Sequence, residues 1–116
     1  MSSVLVVEDS PRRIRALLEA GVIPEDARIV ATAAEAVRSI LDQPWEKVFL
    51  DFDLKGEGDG GDAARALIAA PWRPETVHIH STNTSGGLEM RAILQSAGLA
   101  VQWVPITRML PGMNLD

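Results

Sequence analysis

Three apolar runs in this chain end in side chains able to hold a metal ion and handle phosphate. Val4–Val7 leads into Glu8 and Asp9. Val48–Leu50 leads into Asp51 and, one residue past Phe52, Asp53. Val77–Ile79 carries His78 and leads into His80, Ser81, Thr82 and Asn83. Carboxylate oxygens suit a hard cation, so Glu8, Asp9, Asp51 and Asp53 are the candidate ligands for Mg²⁺ or Mn²⁺. Acids gathered this way repel one another unless a cation joins them. An imidazole titrates near neutrality and suits proton transfer, which makes His80, together with Asp51, the candidate catalytic pair. His78 and His80 share one face of their strand. His78 lies two residues deeper and is expected to be packed under a helix, whereas His80 is expected at the rim.

The stretch Ser81-Thr82-Asn83-Thr84-Ser85-Gly86-Gly87 adds hydroxyls, an amide and two glycines at the start of a helix. Helix N-termini bind anions through unpaired N–H groups and the positive end of the dipole. Ser81, Thr82, Asn83, Gly86 and Gly87 are therefore the expected phosphate-binding residues, against the simpler reading of a loop capped by Ser85. Arg12, Arg13 and Arg15 open the first helix near the same rim. They form a solvated face, or one of them reaches a phosphate, and spacing does not choose among them.

These groups meet only if the apolar runs are neighbouring parallel strands. Buried parallel strands read as continuous apolar runs, and ligands in open α/β sheets sit outside their carboxyl ends. The pattern predicts strands over Val4–Val7, Arg28–Ala31, Lys47–Phe52, Thr76–His80 and Ala100–Val104. A first helix is expected from Pro11, capped by Asp9 or Ser10 and stopped at Gly21. Thr32-Ala33-Ala34-Glu35 fits a capping box for the second, which Pro44 closes. Four glycines within Gly56–Gly61 predict a loop, with Asp62 capping a third helix over Ala63–Ala69. A fourth helix is expected over Leu88–Ala97. Trp45, Trp72 and Trp103 are isolated and suit partial core or helix-end positions. The strand–helix alternation implies a parallel sheet with right-handed crossovers and helices on both faces.

One domain spanning residues 1–116 accommodates all of this around a single core. Apolar residues are 47% and charged residues 23%, as in ordinary globular proteins, and no apolar stretch nears the roughly 18 residues of a membrane span. The first cation is Arg12, so the N-terminus lacks the basic flank of a signal peptide. Cysteine is absent, which excludes thiol chemistry and disulfides, and a cytoplasmic location is expected. A net charge of −5 argues against non-specific grip on duplex DNA, though not against one small phosphorylated ligand.

Over about residues 3 to 105 the chain resembles a response-regulator receiver domain. The acidic pair Glu8-Asp9 follows strand one, Asp51 follows strand three, the next loop ends in Asp59-Gly60, and Ser81 or Thr82 closes strand four. The resemblance implies a flavodoxin-like fold, a five-stranded parallel sheet in the order 2-1-3-4-5, with Asp51 as phosphoacceptor. Two features depart from it. Receivers carry a lysine before the proline that follows strand five, where this chain has Val104 before Pro105. They also end in a full fifth helix, whereas Pro111 and Gly112 interrupt the remaining residues here, so that helix is expected to be shortened or missing.

The stretches Asp51-Phe52-Asp53-Leu54 and Ile79-His80-Ser81-Thr82-Asn83, with Gly86 and Met90, are more similar to the cyclic-phosphate-processing receiver domains. That family shows a histidine where Phe52 stands. The resemblance implies a metal-dependent phosphoesterase acting on a cyclic phosphate, either a cyclic nucleotide or a nucleic-acid end. The alternative is a receiver module, phosphorylated on Asp51 or non-enzymatic, that acts through a protein partner.

Overall fold

Val4–Val7 has no polar side chain to offer water, and in the computed structural model, which describes residues 3–112, it forms the interior strand β1. The chain then runs α1 Pro11–Glu19, β2 Arg28–Val30, α2 Ala33–Asp42, β3 Lys47–Leu50, α3 Gly60–Ala69, β4 Thr76–Ile79, α4 Thr84–Ser96, β5 Val101–Trp103 and α5 Ile106–Met109. The five strands form one parallel sheet in the order β2-β1-β3-β4-β5. No helix among the described residues is long and apolar enough to cross a membrane.

Alternation along the strands divides the core into two layers. Leu5, Val7, Val48, Leu50, Val77 and Ile79 pack with Ala36, Ile40, Ala63, Leu67, Met90 and Leu94, on the side covered by α2, α3 and α4. Val6 and Phe49 pack with Leu17, Ile23, Ile106 and Leu110, on the side of α1 and α5. Burial on both faces is why β1 and the Val48–Leu50 part of β3 are continuous apolar runs. Burying each large aliphatic side chain stabilises the fold by about 2 kcal/mol before entropy is counted.

Trp45 is buried and its indole N–H donates to the Ser39 carbonyl at 2.8 Å, while that of Trp72 donates to the Ile40 carbonyl at 3.1 Å. Both satisfy carbonyls in the last turns of α2, which would otherwise lack partners. They are the helix-end anchors expected of isolated tryptophans.

Two helices begin earlier than composition suggests. Helix α3 starts at Gly60 and is capped by Asp59, with Asp62 completing a capping box at the third position. Helix α4 starts at Thr84 and is capped by Asn83 instead of Ser85. In each case two glycines lie inside the first turns despite their poor helix propensity, because packing there excludes a side chain. A Cβ on Gly60 would overlap the Asp51 carbonyl oxygen. The short α5 matches the expected loss of the fifth helix, and residues 113–116 lie outside the described part.

Candidate metal and phosphate site

The register of the sheet carries the site. Val7, Leu50 and Ile79 are hydrogen-bonding neighbours on β1, β3 and β4, and each is the last residue of its strand. The ladder nevertheless extends one residue further, because Asp51 N–H donates to the Val7 carbonyl and His80 N–H to the Leu50 carbonyl, both at 3.1 Å. Glu8, Asp51 and His80 thus form the next row across the sheet. By strand parity they share the face of Val6, Phe49 and His78, under α1 and α5. One ligand atom from each lies within 4.8 Å of the others, and all three residues are buried.

Each carboxylate in this row is held by named partners. Glu8 Oε1 lies 2.9 Å from His80 Nε2, and Oε2 accepts the backbone N–H groups of Asp9 and Ser10 at 3.0 Å. Burial pushes the Glu8 carboxyl up, but its hydrogen bond and charge interaction with His80, helped by the Ser10 N–H and Arg13, bring it below its ordinary value. Asp51 Oδ1 accepts from the Phe52 N–H at 2.9 Å, and Oδ2 lies 3.6 Å from Arg13 Nη1. Burial and then the Glu8 charge raise the Asp51 carboxyl, against weaker opposing effects of His80, the Ser81 hydroxyl and the Phe52 N–H. Two adjacent acids thus acquire opposite tendencies, Glu8 toward ionisation and Asp51 toward protonation.

Several expectations change at this level of detail. His80 is fully buried, not placed at an open rim, and Ile106 N–H at the start of α5 donates to its carbonyl. His78 is half-buried and stacks on Phe49, with ring centroids 4.6 Å apart. A cation already stands beside the acids, since Arg13 faces Asp51. Asp9 and Asp53 fall outside the three-residue cluster. Asp9 is raised by partial burial and by Glu8, with the Lys55 charge opposing. Asp53 is exposed because β3 stops at Leu50, and its carboxylate accepts from Asn83 Nδ2 at 3.2 Å.

The loop after β4 is built differently from a glycine-lined cradle. Asn83 Oδ1 accepts the Gly86 N–H at 2.8 Å, and the Gly87 N–H donates to the Asn83 carbonyl. Both glycines are buried: a Cβ on Gly86 would overlap the Phe52 ring, and one on Gly87 the Trp103 ring. These two residues, expected to bind phosphate, instead make room for aromatic rings and have their N–H groups already bonded. Ser81 is buried with its hydroxyl accepting the Asn83 N–H, whereas Thr82 is exposed beside it. Asn83 ties this loop to the one after β3 through Asp53. Phe52 and Trp103 were missed as partners of the glycine pair, although two glycines in a helical segment were the available signal.

A divalent cation is implied by the acidic row, and the residues present fit one. Two carboxylates and an imidazole lie within 4.8 Å of one another, and the carboxylates can supply oxygen ligands. His80 Nδ1 is buried and has no hydrogen-bond partner among the described residues. Carboxylate oxygens suit Mg²⁺ and Mn²⁺ alike.

Residues 4–96 match the family model described as cyclic-phosphate processing receiver domain. Among solved structures, the receiver domain of the sensor histidine kinase PA1611 from Pseudomonas aeruginosa, with magnesium coordinated in its active-site cleft, is 26% identical. The alignment covers 88% of this chain and 82% of that one, with a TM-score of 0.64. The phosphorylated cyanobacterial phytochrome response regulator RcpA shares the fold at 17% identity and TM-score 0.62, over 88% of this chain and 78% of that one. The Mn²⁺-bound response regulator Rcp1 does so at 15% identity and TM-score 0.59, over 97% of both chains. No curated protein matches.

Proposed function

The chain belongs to the cyclic-phosphate processing receiver domain family, and from that premise and the site geometry we propose that it hydrolyses a cyclic phosphate ester at Asp51 with a divalent cation. The observation that supports this most is the row of Glu8, Asp51 and His80, whose ligand atoms meet within 4.8 Å beneath the entry to α1. Glu8 and Asp51 would hold Mg²⁺ or Mn²⁺, with Asp9 next to them at the mouth. When bound, the cation would polarise the phosphate and make an attacking water more acidic.

The chain's own residues supply the rest. With one carboxylate oxygen toward the cation, the other oxygen of Asp51 is free to take a proton from water. The water oxygen bonds to phosphorus, the ring P–O bond breaks, and Asp51 returns the proton to the departing ester oxygen. The product is the open phosphomonoester. His80 has no exposed surface and acts through Glu8, keeping that carboxylate ionised and oriented, so it is a positioning residue. Thr82 and the Asn83–Asp53 pair border the mouth and would contact the non-reacting part of the substrate.

Incubating the protein with cyclic nucleotides and cyclic-phosphate RNA ends, in the presence of Mg²⁺ or Mn²⁺, tests this reading. Turnover should fall by about 10²-fold or more in Asp51→Asn. Absence of turnover with every substrate, from protein shown to be folded, would contradict the proposal. The position of Asp51 at the end of β3 also favours a second reading, a receiver phosphorylated on that residue and acting through a protein partner. Val104 in place of a strand-five lysine weighs against it. A stable gain of one phosphoryl group from acetyl phosphate, absent in Asp51→Asn, would establish it by intact mass.

A further inference from the structure

We propose that Arg13 is an anion-binding cation of this site, and that Glu8 and Asp51 beside it make the metal-free site favour a singly charged phosphodiester over a doubly charged phosphomonoester. The inference rests on the phosphate-handling role of Asp51 proposed above. Its starting point is that a phosphate next to a buried aspartate must have its charge balanced. Strand five offers Val104 at the position before Pro105, where receivers carry a lysine. Lys47 lies at the opening of β3, at the other end of the sheet, where its charge acts on His78. The charge of Lys55 acts on Asp9.

Helix α1 delivers the cation instead. Ser10 caps the helix by accepting the Arg13 N–H, which fixes Arg13 in the first turn, directly over the ends of β1 and β3. Its Nη1 is 3.6 Å from Asp51 Oδ2, too long for a tight ion pair, and its side chain retains 20% exposure. The guanidinium thus stands between Asp51 and solvent with donors left over, because it has five and Asp51 engages it loosely. A phosphate entering the mouth can take those donors in a bidentate pair.

Charge then sets the preference. Arg13 faces Asp51, and Glu8 brings a second negative charge into the same row. A monoanionic cyclic phosphate adds one charge to this balance, whereas its ring-opened product adds two and meets greater repulsion from Glu8 and Asp51.

The test is titration of the full chain at pH 8 with two inert probes, dimethyl phosphate as the monoanion and methyl phosphate as the dianion, followed by ¹H–¹⁵N NMR without added metal. Dimethyl phosphate should shift the Asp51, Phe52 and Arg13 amides at concentrations several-fold lower than methyl phosphate. Arg13→Gln should weaken dimethyl phosphate binding on the order of tenfold, and Arg13→Lys should weaken it less while keeping the preference. Amide spectra of each variant report folding, and Arg13→Lys retains a charge over Asp51 should Arg13→Gln unfold. Equal or tighter binding of methyl phosphate, or unchanged binding in both variants, would overturn the proposal. Because neither probe is hydrolysed, Arg13-dependent binding without turnover of any cyclic phosphate would sink the esterase reading and leave this one standing. Turnover that is insensitive to Arg13 would do the reverse.

Discussion

His78 and His80 stand two residues apart on one strand and point to one face, yet their surroundings are opposite. His80 is fully buried and shares Glu8, whereas His78 is half-buried and lies flat on Phe49. Strand parity sets which face a side chain takes, but not what covers it. Cover here comes from α5, which begins with buried Ile106 beside His80 and ends at Met109. The row nearest the strand ends is therefore sealed and rich in charge, while in the row below Val6 and Phe49 are buried and His78 keeps part of its surface exposed. The difference explains why the deeper histidine along the chain is the more accessible one.

The largest expected effect breaks the sealed row. His80→Gln should cost about 3 kcal/mol in urea unfolding, because it leaves Glu8 buried without its partner. His78→Gln should cost about 1 kcal/mol or less, the value of a lost ring stack. Equal losses at both positions would mean that the two rows do not differ as described.

A double-mutant cycle sharpens this. Glu8→Gln alone should also destabilise, whereas Glu8→Gln with His80→Gln should cost clearly less than the two single changes added together. The difference measures the buried pair directly. Additive losses would show that Glu8 and His80 do not interact.

The next effect is in the pH dependence. Glu8 is held below its ordinary value of 4.5, so its contribution is fully present above that pH and is lost as pH falls through the folded value. Asp51 is raised above its ordinary value of 3.8 and has the opposite sign. Its contribution is favourable below that pH and is lost as pH rises through the folded value, so ionised Asp51 costs stability at neutral pH. Without divalent cation, Asp51→Asn should therefore melt higher than wild type at pH 7, with the two curves converging near pH 4. A mutant that is less stable at pH 7 would place the Arg13 contact above the Glu8 repulsion.

His78 gives the smallest effect. Burial, and then Lys47, lower it from the ordinary 6.5, so it favours folding above that pH and loses this contribution as pH falls through the folded value. Wild type should lose slightly more stability than His78→Gln between pH 7 and pH 5, as read from melting temperatures.

Much of this was legible in the residues themselves. The strand order, the shortened fifth helix and a cap for α1 at Asp9 or Ser10 follow from apolar runs, turn residues and a family resemblance, and of the four acids expected together with His80 the structure gathers Glu8 and Asp51. What stayed hidden depends on contacts distant in sequence. Gly60, Gly86 and Gly87 read as loop residues because propensity alone excludes them from helices. Only the Asp51 carbonyl and the Phe52 and Trp103 rings explain their places in α3 and α4. Asp53 looked aligned with Asp51 until β3 proved to end at Leu50. Arg13 was one of three equivalent arginines, and its selection needed the angle at which α1 leaves β1.

The most direct test of the site as a whole is ³¹P NMR of 2′,3′-cyclic AMP incubated with the protein and Mn²⁺ in ¹⁸O-labelled water. The mechanism predicts loss of the cyclic diester signal and growth of a phosphomonoester signal shifted by one solvent-derived ¹⁸O on phosphorus, both absent with Asp51→Asn. An unchanged diester signal, label on the ribose oxygen, or full turnover by Asp51→Asn would contradict it.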